Sequence, residues 1–402
     1  MVASLRAEVD NTILRWARDS SGIDVPTAAL RAGTSPARIE EWEGGSSYPT
    51  IKQLRKLAKA YMRPIGLFFL PGLPEDPESI KDFRKIPDEF REEMSSALRF
   101  EIRLAWERRD EAMEMMSDLD EEPPMIHERF GLDSDPDRVA AILRKMLGIS
   151  IAEQMQWRTK YEAFNRWREA VEQKGSLVFQ TGVLPNLRVD PKEARGFSIA
   201  DQPYPVIVIN SKDNPTARCF TLIHELTHIL LDDGGICDLH NPFSATSQTD
   251  RTEVFCNRVA GSTLVPAQAF LQTGVVQNHG SNPAWADDEL ESLAKKFWVS
   301  WEVILRRLLI LGKTTRDFYQ RWRKERNDLF PGGDTGQSSK IRIPTPTRVI
   351  IRNGRLFPAI VFRALKSRKI TSFRASDILG TGANRLRDVE AAVFGSWHEF
   401  TA

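Results

Sequence analysis

The sequence predicts a mainly helical α+β protein that contains one small sheet. Several long segments carry apolar side chains every three to four positions, which is typical of helices packed on a core. Two short apolar runs, at residues 176–180 and 206–210, are bounded by turn residues and predict strands. Between these segments, a proline-rich break at 71–77 and a stretch rich in Gly, Ser, Pro and charge at 327–346 predict linkers.

These breaks divide the chain into parts of different character. The central part alone contains the two predicted strands, whereas the parts on either side show helical periodicity. In the C-terminal part, residues 348–352 predict a short strand that three helices follow. The expected parts are an N-terminal helical domain at 1–75, a helical linker at 76–135, a central domain at 136–326, a linker at 327–346 and a small, mainly helical C-terminal domain at 347–402.

Composition restricts the class of function. A net charge of +1 argues against a general polyanion binder, so any contact with nucleic acid has to come from a local patch. The sequence contains no run of 18 apolar residues and no basic-then-apolar leader, so we expect no membrane contact. Three cysteines, an odd number, fit a reducing compartment, and we expect a cytoplasmic protein.

The N-terminal domain has the spacing of a helix-turn-helix. Asp24 is an expected N-cap, Gly33 makes the turn, and Ser35 with Pro36 starts a second helix. In such domains the start of the second helix enters the major groove of DNA. The second helix is nevertheless net acidic, and the alternative is a helix-turn-helix used for protein contact. The residues expected to face DNA are Thr34, Ser35, Ala37, Arg38 and Glu41.

The most informative segment is an HExxH sequence at residues 224–228. His224 and His228 are four residues apart, so on a helix they share one face and can hold one zinc ion. Glu225 is placed to take a proton from a zinc-bound water. The alternative is a solvated glutamate between two ordinary histidines, but the apolar residues around the three polar ones predict a buried helix. A buried charge needs a partner, which favours the metal.

A third protein ligand is needed to complete such a site. Gly234 stands where some zinc hydrolases have a third histidine, so we look to a following helix. Glu253 on the predicted helix at 250–260 is the chosen ligand, and its alternative is a first-turn glutamate that complements the helix dipole. The competing candidates are Asp232, Asp233, Cys237, Asp238, His240 and Cys256.

Four segments carry a resemblance to a known family. They are residues 193–198, 205–210, 218–228 and 253–266, and through them the chain resembles ImmA/IrrE-type zinc metallopeptidases with an N-terminal XRE-type helix-turn-helix. The resemblance implies that His224, His228 and Glu253 hold zinc and that Glu225 is the catalytic base. It departs at residues 256–261, where the family has an alanine-rich helix, and this departure affects no ligand.

The resemblance also implies a fold and a substrate. We expect a zincin-like peptidase domain in the central part, acting on a protein substrate that is typically a helix-turn-helix repressor or an antitoxin. The strand before the zinc helix is expected to line the substrate groove, although a plain central strand is an equal alternative. The expected groove residues are Val206, Ile207, Val208, Ile209 and Asn210.

Two other functions remain open at this level. The chain could be a DNA-binding transcriptional regulator in which the zinc site is structural or sensory, with double-stranded DNA as its partner. It could also be the toxin of a toxin–antitoxin pair. Neither alternative is separated from the peptidase by the sequence.

Overall fold

The chain divides into two compact units in a computed structural model, Met1–Trp106 and Glu107–Ala402. The structure describes residues 6–61, 63, 65–72, 94–182, 188–231, 248–329 and 343–395. The fold is mainly helical with one three-stranded sheet, which confirms the predicted class. A 23-residue helix, Ser96–Asp118, crosses the boundary between the two units.

The first unit begins with four helices and a short 3-10 helix. Asp24 accepts a hydrogen bond from the backbone N–H of Thr27 at 2.8 Å and so caps the second helix, which Gly33 ends in the left-handed conformation. The predicted helix–turn–helix geometry is therefore present. The elements are α1 (Asn11–Asp19), α2 (Val25–Ala32), α3 (Pro36–Glu43), α4 (Ile51–Tyr61) and the 3-10 helix Ile65–Phe69.

A buried ion pair joins the first and third helices of this unit. The Arg18 guanidinium donates two hydrogen bonds to the Glu43 carboxylate, at 2.7 and 2.9 Å, and a third to the carbonyl of Ile23. Glu43 is only 4% exposed. Because a buried carboxylate without a partner would be costly, this pairing fixes the position of α3 in the unit.

The second unit contains the remaining elements. Its sheet strands are β1 (Leu177–Gln180), β2 (Gly196–Ile199) and β3 (Val206–Ile209). Among its described helices none is long and apolar enough to cross a membrane. After α5 (Ser96–Asp118), the helices are α6 (Pro136–Leu147), α7 (Ile151–Gln154), α8 (Lys160–Glu172), α9 (Pro215–Leu230), α10 (Gln248–Leu264), α11 (Ala267–Leu271), α12 (Gly274–Asn278), α13 (Asp287–Phe297), α14 (Trp301–Ile310), α15 (Arg316–Leu329), α16 (Thr345–Asn353), α17 (Leu356–Lys366), α18 (Ser372–Ile378) and α19 (Leu386–Phe394).

The sheet has the order β1-β3-β2, so the third strand is central. β3 pairs in parallel with β1 and antiparallel with β2. All twelve residues of the three strands are buried. Helix α9 packs against β2 and β3 on one side and against α8 and α10 on the other. The helix that carries the HExxH sequence is therefore enclosed by the core of the second unit.

The C-terminal residues are helical where a strand was expected. Residues 348–352 lie inside α16, so the predicted strand is wrong. Pro346 in the first turn favours a helix start, and the buried residues Val349 and Asn353 are four apart, as on one helical face. Helix α16 and the next helix, α17, both pack on β1 of the sheet. Phe357 of α17 meets Phe179 of β1 edge to face, with ring centroids 5.5 Å apart.

Buried charges hold the C-terminal helices in place. Arg168 of α8 donates hydrogen bonds to the carbonyls of Ile350 and Ile351, at 3.1 and 2.7 Å, and so satisfies two groups at the end of α16. Glu172, one turn further on, accepts the backbone N–H of Arg355 at 3.0 Å. The division at 326 and 347 stays a prediction, but residues 343–395 share these buried contacts with the sheet and α8.

Gly354 tests this anchoring. Its φ is +72°, and a Cβ there would overlap the Glu172 carboxylate and the carbonyl of Val178. Gly312 has a similar φ of +67° and open space around it, so it is a matched control. We expect Gly354→Ala to destabilise the local structure by about 4 kcal/mol, whereas Gly312→Ala costs only the conformational strain of about 1 kcal/mol.

The measurement is amide hydrogen exchange of the full chain, followed in peptides from α8, α16 and α17 for the first variant and from α14 and α15 for the control. Equal loss of protection in the two variants would contradict the steric account, since a Cβ overlaps neighbouring atoms at Gly354 and meets none at Gly312.

Candidate metal centre

Helix α9 places the three polar residues of the HExxH sequence in the core. Its start is defined by Asn214, which caps the backbone N–H of Thr216, and by Pro215 at the first position. His224, Glu225 and His228 are 0%, 1% and 6% exposed. Because these polar groups are buried away from water, they can be satisfied only by one another, by neighbouring elements or by a ligand.

The two histidines and a glutamate from the next helix converge on one point. The Nε2 atoms of His224 and His228 are 3.1 Å apart. Glu253 of α10 places Oε2 3.3 Å from His224 Nε2 and Oε1 3.2 Å from His228 Nε2. The structure thus brings together the three residues that the sequence predicted as ligands.

This triangle fits a metal ion. Ligand atoms about 2.0–2.1 Å from a tetrahedral metal lie about 3.3 Å from one another. Each imidazole Nε2 lies at about this distance from the other imidazole and from one of the two Glu253 carboxylate oxygens. Two imidazole nitrogens and one carboxylate oxygen leave the fourth position open for water, as in a catalytic site. Among the described residues these are the three His, Cys, Asp or Glu side chains that could hold an ion together. The competing candidates Asp232, Asp233, Cys237, Asp238 and His240 lie outside the described residues.

The charges of the triangle depend on one another. Burial lowers the pKa of His224. Burial also acts to lower the pKa of His228, but contacts with Cys256 and Glu253 outweigh it and raise that pKa well above its usual range. Burial acts to raise the pKa of Glu253, and the two imidazoles outweigh it and hold that pKa far below its usual range. Glu253 is therefore an anionic ligand.

Glu225 lies beside the triangle and is chemically distinct from it. Both of its carboxylate oxygens are buried, and neither makes a hydrogen bond to a described residue. Burial raises its pKa to about 7, and the nearby Ser198 hydroxyl opposes this shift without reaching hydrogen-bond geometry. A buried carboxyl group without a protein partner is costly, and a metal-bound water would supply the missing hydrogen bond.

Cys256 contacts this centre without joining the ligand set. It is fully buried one turn beyond Glu253, its thiol contacts His228, and burial raises the pKa of the thiol. Among the described residues, the side chains placed to hold one ion together are those of His224, His228 and Glu253, without Cys256. Cys256 is thus best described as a small buried side chain packed against a histidine ligand.

The second strand contributes two residues that the sequence analysis did not assign to the site. A Cβ at Gly196 would clash with Thr221 of α9 and with the carbonyl of Val208, so this glycine allows β2 to approach the helix closely. Ser198, two residues on, therefore lies on the same face, next to Glu225. The available signal was a glycine two residues before a small polar side chain, in a segment too short to show clear strand alternation.

The expected pairing of a substrate with the strand before α9 is wrong. Both edges of β3 are already hydrogen bonded, to β1 and β2, and its residues Val206, Ile207, Val208 and Ile209 are at most 1% exposed. Asn210 follows the strand and donates to the carbonyls of Val189 and Ala194, so its amide holds a loop. Among the described strands, β2 pairs only with β3, so its other edge has no strand partner in the described part of the chain.

The residues predicted to face DNA lie at the start of α3 in the first unit. Ser35, Ala37 and Arg38 are exposed, and Thr34 and Glu41 are half-buried. The Arg38 guanidinium pairs with the Glu41 carboxylate, which also accepts a hydrogen bond from the Ser47 hydroxyl at 3.2 Å. The one cation among the five is therefore neutralised locally, while Lys52, Arg55, Lys56 and Lys59 of α4 are exposed. DNA contact through these residues stays a prediction.

Comparison with known proteins finds similarity to metalloproteases in this chain, and a family match that covers the candidate metal centre. Residues 183–309 match the family described as IrrE N-terminal-like domain. The chain is also similar to the radiation response metalloprotease IrrE of Deinococcus deserti, with 39% identity over 70 residues, which are 17% of this chain and 25% of that protein. It is similar to the protein of the same description from Deinococcus radiodurans, with 35% identity over 74 residues, which are 18% of this chain and 23% of that protein.

The matched part thus spans about a quarter of the length of these curated relatives. The family match at residues 183–309 contains helices α9 and α10 and with them all three ligand candidates and Glu225. The comparisons therefore support a metallopeptidase domain within residues 183–309, where the chain is similar to proteins of the ImmA/IrrE type.

Proposed function

We propose that the protein is a zinc-dependent endopeptidase that cleaves a transcriptional repressor or an antitoxin-like protein. The observation that carries the hydrolytic part is the position of Glu225, a buried carboxyl group with no hydrogen bond to a described residue, beside three side chains spaced as metal ligands. This arrangement favours a catalytic site over a structural one. A structural metal site has four protein ligands, whereas here the fourth position is open and a carboxyl group lies beside it.

The donor set favours zinc among the common metals. Two imidazole nitrogens and one carboxylate suit zinc, whereas calcium and magnesium take mainly oxygen ligands. When bound by His224, His228 and Glu253, zinc would lower the pKa of a water molecule to about 7 and polarise a peptide carbonyl. The metallopeptidase relatives are consistent with this choice.

Glu225 would move the proton. With a pKa of about 7, its carboxylate is available near neutral pH to accept a proton from the attacking water. The same oxygen then returns the proton to the amine of the cleaved bond, so that each turnover restores the starting protonation state. Because the carboxyl group is buried, bulk water is kept away from it and the proton passes to the leaving amine in place of the solvent.

The free edge of β2 is the proposed platform for the substrate. An extended peptide can add to a strand edge through backbone hydrogen bonds, without a requirement on its side chains. Gly196 brings this edge close to α9, so a peptide bound there would pass the carboxyl group of Glu225. We place the substrate on β2 in place of β3, whose edges are occupied.

The repressor or antitoxin as substrate rests on the family resemblance and on the helix–turn–helix in the first unit of the same chain. A first unit that recognises DNA or a DNA-binding protein would bring the metal centre of the second unit to its substrate. The alternative of a sensory or structural metal site predicts that Glu225 is dispensable, and this is what separates the two experimentally.

Replacing the base is the direct test of hydrolysis. We expect Glu225→Gln to keep the shape of the site and its metal but to lose cleavage by a factor of about 10²–10⁴, the usual contribution of a general base. Wild type, Glu225→Gln and the exposed control Glu291→Gln would be expressed in cells and compared by mass spectrometry of newly formed protein termini. Zinc content of the purified proteins shows that the site is loaded. Cleavage by Glu225→Gln at the wild-type rate would overturn the proposal.

We further propose that the helix–turn–helix contacts duplex DNA, because the start of α3 is exposed and basic side chains of α4 lie in the same unit. Selection from a random duplex library should enrich a sequence with the wild-type chain. Arg38→Ala should weaken binding to that sequence, whereas Lys295→Ala, an exposed cation in the second unit, should not. Failure of the wild-type chain to enrich any sequence would favour the alternative use of this motif in protein contact.

A further inference from the structure

The hydroxyl group of Ser198 in β2 is buried and has no partner among the described residues. The residue is only 4% exposed, and its hydroxyl oxygen makes no hydrogen bond to a described residue. The other residues of β2, Gly196, Phe197 and Ile199, carry no polar side chain. Because a buried hydroxyl group without a partner is costly, this one needs a group on a neighbouring element to satisfy it.

The face of β2 that carries Ser198 lies against the HExxH helix. Side chains at positions 196 and 198 leave the strand on the same side. A Cβ atom at Gly196 would lie 2.6 Å from Thr221 Cγ2 and 3.5 Å from Glu225 Cγ, so this face of the strand touches α9 at the turn that ends in Glu225. The Ser198 hydroxyl also acts to lower the pKa of Glu225, as a donor close to a carboxyl group does. Ser198 and Glu225 are therefore neighbours across the contact between β2 and α9.

The carboxyl group of Glu225 is the acceptor that suits the Ser198 hydroxyl. Both of its oxygens are buried and make no hydrogen bond to a described residue. The Thr221 hydroxyl on the same face of α9 is already used, since it donates to the carbonyl of Ala217 at 3.2 Å. Two adjacent buried groups, one donor and one acceptor, thus each need what the other supplies. A hydrogen bond to an ionised carboxylate is also roughly twice as strong as one between neutral groups.

The backbone of Ser198 faces the edge of β2 that has no strand partner among the described strands. The Asn210 N–H donates to the Arg195 carbonyl at 2.8 Å, so these two residues form a hydrogen-bonded pair of the antiparallel ladder. Such pairs alternate with pairs that share no hydrogen bond, and Ser198 lies opposite Ile207 in a pair of the second kind. Its N–H and carbonyl therefore point away from β3. Ser198 thus presents its backbone to the proposed substrate platform and its side chain to Glu225.

We propose that Ser198 is a positioning residue for the base: its hydroxyl group donates a hydrogen bond to one carboxylate oxygen of Glu225 and leaves the other oxygen to accept the proton. The inference rests on the proposed function, since it assigns Ser198 a role in the same reaction. The terminal torsion of a glutamate is broad, so a fixed oxygen narrows the orientations of the carboxylate. Because the backbone of the same residue would bond the substrate, Ser198 holds the base and the scissile bond in a constant relation.

Kinetics of Ser198→Ala in the zinc-loaded full chain test this role, with a synthetic peptide that spans the bond cleaved by the wild type in cells. We expect kcat to fall by about tenfold or more, because a hydrogen bond to an ionised group is lost. KM should stay within about twofold, because the backbone of β2 is unchanged. The matched control is Ser176→Ala, which removes another buried serine hydroxyl. That hydroxyl donates to the Pro205 carbonyl at 3.0 Å, and the carbonyl keeps its bond from the Leu177 N–H, so kcat should not change.

A crystal structure of the zinc-loaded wild type gives a readout that does not depend on activity. We expect the Ser198 Oγ within about 3.0 Å of a Glu225 carboxylate oxygen. A separation outside hydrogen-bond range would overturn the proposal, as would a kcat of Ser198→Ala equal to that of Ser176→Ala, or a loss that lies wholly in KM. Each of these outcomes leaves the proposed function standing if the wild type cleaves the peptide. Failure of the wild type to cleave any protein would overturn the proposed function and the role of Ser198 together.

Discussion

The structure of the second unit depends on one constraint: the polar groups of a fully buried helix must be satisfied. Helix α9 carries His224, Glu225 and His228 among apolar side chains, and the core encloses all three. Leaving these groups without partners would cost several kcal/mol. Glu253 of α10 satisfies the histidines, and its approach explains why α9 and α10 pack so closely. The Glu225 carboxyl group makes no hydrogen bond to a described residue, and the proposed function assigns it the role of the base.

Contacts with strands β1 and β2 hold helix α9 in position. Gly196 allows β2 to approach α9 without a steric conflict. Near the start of the helix, Arg218 donates to the side-chain oxygen of Gln180 at 2.9 Å, while the Gln180 amide donates to the carbonyl of Ile351 at 2.8 Å. A continuous set of hydrogen bonds thus runs from α9 through β1 to α16. The C-terminal helices are in this way part of the framework around the candidate metal centre.

The sequence was most informative where local chemistry decides the outcome. The Asp24 cap and the spacing of His224 and His228 depend on neighbouring residues only, and the structure has each where it was expected. Gly234 excluded a histidine at that position, but other ligand candidates stayed open beside Glu253, since nothing in its own helix distinguishes it from a first-turn glutamate. Its role became visible only when the fold brought two helices together.

Sequence reasoning failed where tertiary contacts decide. Residues 348–352 contain three consecutive β-branched residues, which suggests a strand. They are instead part of helix α16, which packs against β1. β3 is apolar throughout because it is central, a property that the sequence could not separate from a buried strand beside the substrate. β2, which has the free edge, is only four residues long and gives no clear periodicity.

The central claim is that two histidines and Glu253 hold a catalytic zinc ion without a sulfur ligand. X-ray absorption at the zinc edge on the purified full chain tests it most directly, because zinc–nitrogen and zinc–oxygen distances of about 2.0–2.1 Å are resolved from zinc–sulfur distances of about 2.3 Å. The account predicts one bound zinc with nitrogen and oxygen ligands, and loss of that signal in Glu253→Ala. A sulfur ligand from Cys237 or Cys256, or zinc binding that survives Glu253→Ala unchanged, would contradict it.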